Sequence, residues 1–137
     1  MTEKTQWLDR CAFELPYCYR LCVTEKGFHK ELKRLKLPRS VWPRFLKSDH
    51  SSATCHFFES SNGQYCAIVC VRKEEAKKKS NDAVCGLLVH EAMHIWRACR
   101  ELYGELDPSA ELEAYAMQRI SQNLIWSWEQ QKGTKSD

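Results

Sequence analysis

The stretch LLVHEAMHIW, Leu87 to Trp96, sets how the rest of the chain is read. Two histidines stand four positions apart, with a glutamate directly after the first. On an α-helix, positions i and i+4 lie on one face, one turn apart. His90 and His94 can therefore offer imidazole nitrogens to a single metal ion. Glu91 is rotated by about 100° from His90, beside the pair rather than within it. A carboxylate placed there can take a proton from a water activated at the metal. The neighbours Leu87, Leu88, Ala92, Met93, Ile95 and Trp96 are all uncharged. They predict a largely buried helix, and a charged group is seldom buried without a partner. The plain alternative is a histidine pair satisfied within a core helix or exposed along its edge.

Working outward, the apolar periodicity predicts a helix from Asp82 to Tyr103, closed by Gly104. Asp107 as N-cap and Pro108 at the first helical position predict a last helix running to about Gln130. Upstream, KEEAKKKSND reads as a charged loop. ATCHFFE and QYCAIVCVRK read as two strands around SSNG, where Asn62-Gly63 is a strong hairpin signal. The first ~35 residues read as helical in two pieces, TQWLDRCAFEL and GFHKELKRLKL, each stopped by a proline. Between them and the hairpin, LPRSVWPRFLKSDHSS is a turn-rich connection. The expected fold is α+β in a single domain, residues 1–137. Its parts are a helical portion (1–53), a short antiparallel sheet or hairpin with two site-bearing helices (54–130) and a tail (131–137).

A chain of 137 residues can build one modest core. The net charge of +3 is too weak to imply nucleic acid by itself. Residues 26–47 are locally basic, which fits a solvated helix face or contact with an acidic partner or nucleic acid. No long apolar run spans a membrane. The N-terminal MTEKTQWLDRC lacks the basic-then-apolar layout of a secretory signal. Eight cysteines, most within apolar runs and none in a CxxC pair, behave as small buried hydrophobes. The expectation is a reduced, cytoplasmic protein.

VHEAMH followed by PSAELEAYAMQ resembles the zincin metallopeptidases, specifically the gluzincin branch. The layout is also similar to small metallopeptidase-like proteins of bacteriophage and prophage. The resemblance covers about residues 54 to 128. It implies a zincin-like domain and one zinc ion per chain. His90, His94 and a glutamate on the later helix would be ligands, Glu91 the general base, and a peptide or protein the substrate. The metzincin pattern fails, because Arg97 and Arg100 stand where it needs Gly and His. A third histidine ligand would have to come from His29, His50 or His56, all upstream.

Catalytic zinc usually takes three protein ligands and a water. The downstream candidates are Glu105, Glu111 and Glu113, with Glu105 ranked last because it follows Gly104 in a turn. Glu111 and Glu113 are about 200° apart on a helix, so only one can face the metal. Glu113 shares a face with the apolar Ala116, Met117, Ile120 and Leu124. Glu111 shares one with Ala114, Tyr115, Gln118 and Gln122, and sits in the first turn, where the helix dipole favours any carboxylate. Glu113 is therefore preferred. Against it, ELEAY resembles an E-x-x-A-D segment of another gluzincin group, which would select Glu111. Tyr115 and Arg97 are the leading candidates to stabilise an oxyanion, with Tyr103 and Arg100 behind them. By resemblance, QYCAIVCVRK would be the strand that pairs with extended substrate. The competing functions are a zinc-binding regulatory or scaffold module with little activity, and a nucleic-acid-associated protein using the basic 26–47 region.

Overall fold

A computed structural model describes residues 15–134. The chain is mixed α+β. In order it forms β1 (Tyr17–Cys22), α1 (Glu25–Arg34), β2 (Ala53–Glu59), β3 (Tyr65–Val71), α2 (Lys73–Ala76), α3 (Asn81–Tyr103) and α4 (Ala110–Gln131), with a 3-10 turn at Arg39–Val41. The sheet order is β1-β3-β2, with β1 parallel and β2 antiparallel to β3.

β3 is the central strand, and its residues after Tyr65 are all buried. Its continuous apolar run is what a strand covered on both faces requires. Ala67, Val69 and Val71 face α3 and α4, within a core that includes Leu88, Ile95, Trp96, Ile120, Leu124 and Trp128. Cys66, Ile68 and Cys70 face the other way, onto Phe28 and Leu32 of α1 and onto Phe45 and Leu46. The sheet therefore separates two helical layers of unequal size. The hairpin forms as expected, with Gly63 at φ 82 and its N–H donating to Ser60 O at 2.9 Å.

Four expectations are corrected. First, the 1–53 portion is not wholly helical. Of the helix expected over residues 5–15, positions 5–14 lie outside the described residues and Leu15 is not helical, and YCYRLC forms β1. Tyr17, Tyr19 and Leu21 point into the α3/α4 core while Cys18 and Arg20 are exposed, a two-residue period that only a strand satisfies. Asn123 Nδ2 donates to Tyr19 Oη at 2.7 Å and Gln131 Nε2 to Leu21 O at 2.9 Å, fixing α4 over β1. Second, the sheet is three-stranded and mixed. QYCAIVCVRK, expected to pair with substrate, is paired on both sides and has no free edge. Third, KEEA within the expected charged loop makes the short helix α2. Fourth, α4 is capped by Ser109, not Asp107. The Ser109 hydroxyl accepts from Leu112 N at 3.2 Å, so Pro108 lies just outside the helix, where its missing N–H costs nothing.

α3 has the limits its sequence implied. The Ser80 hydroxyl caps it by accepting from Ala83 N at 3.1 Å. Gly104, at φ 73, closes it, with Gly104 N donating to Glu101 O and Glu105 N to Arg100 O. No helix among the described residues is long and apolar enough to cross a membrane.

Candidate metal centre

α3 is buried where it meets the sheet and α4, through Val84, Leu88, Ala92, Ile95, Trp96 and Cys99. This leaves one long stripe facing outward. His90 and His94 stand on that stripe, both exposed, with ring centroids 5.1 Å apart and planes crossing at 73°. Glu91 turns toward β2 and is only 5% exposed. One ligand atom from each of His90, Glu91 and His94 lies within 4.8 Å of the others, and no other such group of three exists among the described residues.

The electrostatics of this group are uneven. Among the described residues two charged side chains are buried, Lys73 and Glu91. Lys73 donates from Nζ to Thr134 O. Glu91 accepts no hydrogen bond from a described residue, and its oxygens open onto a groove. Burial pushes its carboxyl above the ordinary value of 4.5, while His94 and His90 pull it back down. Cys55 of β2 lies close enough to feel the Glu91 charge, and burial foremost pushes its thiol up to about 12. A carboxylate partly removed from water and without a protein donor is destabilised in its charged form, and a cation beside it would offset that. The donor set suits zinc: two imidazoles at i and i+4, with a carboxylate one step round the helix.

The groove has a volume of about 490 Å³. His90 and Glu91 line one end, Ala83, Gly86 and Leu87 run along its α3 wall, and Ser51, Ser52 and Lys79 line the other end. Its rim includes Ala53, the first residue of β2. β2 is an edge strand, hydrogen-bonded on one side only. Ser60 N donates to Gln64 O, so Ser60 and Gln64 form a hydrogen-bonded pair in the register of the hairpin. By the alternation of antiparallel ladders, the main-chain groups of Ala53, Cys55 and Phe57 point outward from the edge.

The remaining expected residues are dispersed. Glu113 lies on the inner face of α4 with Ala116, Ile120 and Leu124, as its spacing implied. Its Oε2 accepts from Trp96 Nε1 at 2.9 Å and from Arg100 at 3.4 Å, outside the group of three. Trp96 is about 240° round the helix from His90 and about 200° from His94. Glu111 is exposed on the opposite side of α4, and Tyr115 beside it is 62% exposed. Arg97 stands on the outer stripe one turn past His94, exposed and with no ion pair among the described residues. Arg100 is occupied by Glu113, Glu105 O and Leu106 O, and Tyr103 and Glu105 lie exposed at the helix end. The upstream histidines belong to the other layer or its loop. His56 meets Phe45 O and stacks on Phe28, His29 rests against Trp42, and His50 is exposed. The basic face of α1 is also on that side, with Arg20 and Arg34 at Glu31. The seven cysteines among the described residues are free thiols.

The groove residues Lys79, Ser51 and Ser52 had no signal in the sequence. Ala83, Gly86, Leu87 and His90 did, since their three- and four-residue spacing sets them on one stripe, where Ala83 and Gly86 leave room. Compared with protein-family models, with curated proteins and with solved structures, the chain matches none.

Proposed function

We propose that this chain is a zinc-dependent hydrolase of peptide bonds, with His90 and His94 as zinc ligands and Glu91 as general base. The observation that carries the proposal is Glu91, a residue only 5% exposed whose carboxylate opens onto the groove, within 4.8 Å of both imidazole donors. Bound zinc would acidify a water and polarise a carbonyl at the same point. Glu91 then has a defined task. Its carboxylate is held beside the pair by the rigid α3 backbone and can accept a proton from an attacking water and return it to the leaving amine. Its raised pKa suits both halves of that cycle. The outward main-chain groups of Ala53, Cys55 and Phe57 can receive an extended peptide as an added strand, which positions its carbonyl over the groove. Arg97 is the free cation nearest along the stripe and is proposed to meet the developing oxyanion.

For the third protein ligand Glu113 is proposed over Glu111 on the resemblance, which asks for a glutamate on the later helix, and on its place on the apolar face of α4. To serve, it would have to leave Trp96 and Arg100, which hold it on the side of α3 away from the histidine stripe. A zincin-like arrangement follows from this proposal together with the resemblance in VHEAMH and ELEAY. The test is zinc-supplied protein acting on a denatured protein substrate, with products mapped by mass spectrometry. Zinc-dependent cleavage that a chelator stops and Glu91→Gln removes supports the reading. Stoichiometric zinc without cleavage of any substrate would favour a scaffold.

A further inference from the structure

We propose that the groove selects peptides carrying a carboxylate on the C-terminal side of the cleaved bond, and that Lys79 is the residue that selects it. The inference rests on the hydrolase reading for the word "cleaved". The binding preference itself rests on the groove alone.

The groove is bipolar. Its one acid, Glu91, is at the histidine end, and its one primary cation, Lys79, is at the other. Lys79 Nζ donates to Ser52 Oγ at 3.1 Å, which ties the segment before α3 to the segment before β2 and closes that end. No carboxylate among the described residues pairs with Lys79, whereas its neighbour Lys78 is engaged by Glu75 at 3.5 Å. An ammonium with one hydroxyl acceptor keeps two N–H donors for a ligand. The Ser51 and Ser52 hydroxyls at the same end can add hydrogen bonds to an anion but supply no charge.

Strand pairing gives the polarity. A peptide lying antiparallel to β2 runs from the Glu59 end toward Ala53, so its C-terminal portion enters the Lys79 end. Ala83 to Glu91 rises about 12 Å along α3 at ~1.5 Å per residue, roughly three to four residues of extended chain. The selected carboxylate therefore stands about two to four residues after the bond over Glu91. It can be an acidic side chain or the free C-terminus of a short peptide. Between the two ends, Gly86 has open space where a Cβ would stand, leaving room for a substrate side chain of ordinary size.

The test uses the full chain carrying Glu91→Gln, with zinc supplied, and three N-terminally labelled hexapeptides followed by fluorescence anisotropy. One is all alanine with an amidated end, one has a glutamate next to the amidated end, and one is all alanine with a free carboxylate. Carboxylate peptides should bind about five- to tenfold tighter than the neutral one, as one partly exposed charge-assisted contact provides. Lys79→Glu should remove that advantage. A far-ultraviolet circular dichroism spectrum and a zinc content matching those of the parent show that the variant is folded. The advantage should fall as salt is raised. A gain for both acidic peptides marks a site for any carboxylate, and a gain for the free end alone marks one that reads chain ends. Equal affinities, no peptide binding, or an advantage that survives Lys79→Glu would overturn the proposal. Absence of zinc-dependent cleavage by the unmutated chain, with the acidic preference intact, would overturn the hydrolase reading and leave the preference standing.

Discussion

α3 carries an acidic neighbour on each of two sides, and the protein treats them in opposite ways. Toward α4, Glu113 is given an indole N–H and a guanidinium, so its charge is met by the chain itself. Toward β2, Glu91 is more deeply buried and is given nothing but two imidazoles. Stability alone would favour the first arrangement, because a carboxylate drawn from water is better off with donors than without them. The proposed metal reading rests on this difference between the two carboxylates.

The strongest way to break this contrast is to remove the imidazoles. Unmutated protein should hold about one zinc per chain after dialysis, and His90→Ala or His94→Ala should lower zinc affinity by at least ~100-fold. Metal analysis together with a competition titration measures this. Unchanged zinc content in both variants would end the metal reading. Next in size is Glu91→Gln, which should retain zinc and lower turnover by ~100- to 10,000-fold, the scale of a lost general base. In zinc-free protein the same substitution should raise the melting temperature, because an amide needs no burial of charge. A melting temperature that falls instead would show that the carboxylate is already satisfied.

Glu113 sharpens the comparison from the other side. As a third ligand, its replacement by Ala should weaken zinc binding about tenfold or more, while Glu111→Ala should change it less than about threefold. Both variants go into the same competition titration. If Glu113→Ala leaves zinc affinity alone yet lowers stability by ~1–3 kcal/mol, Glu113 serves only Trp96 and Arg100. The smallest effect is expected across the sheet, at His56. Its Nε2 lies 2.9 Å from Phe45 O. Burial lowers its pKa below the ordinary 6.5, and the Phe45 hydrogen bond only partly offsets this. The unfolded chain therefore binds this proton first. The contribution is present above about pH 6.5 and is lost as pH falls through the lowered value. His56→Gln should flatten that part of the acid limb in thermal melts, and an unchanged slope would assign the acid sensitivity elsewhere.

Much of this was legible in the residues. α3 was, because its caps, its apolar stripe and its histidine spacing are all local signals within one element. The hairpin was, because Asn62-Gly63 fixes a turn whatever surrounds it. β1 was not, although YCYRLC alternates, since a six-residue stretch after a proline carries little weight until a partner strand is known. The unbroken apolar run of β3 is itself a sign of a central strand, and only the resemblance gave it a substrate-pairing role.

The sequence by itself determined the grouping on α3, since four-residue spacing sets His90 and His94 on one face with Glu91 about 100° round from His90 in any α-helix. It also determined that Glu113, not Glu111, faces inward, by the same periodicity. Only the tertiary structure decided which strand edge is open beside the site, what holds Glu113, and that Lys79 and Ser52 close the far end of a groove that begins at Glu91. Those are contacts between segments distant in sequence. No local propensity encodes them, because they exist only once β2, α3 and α4 have packed around one core.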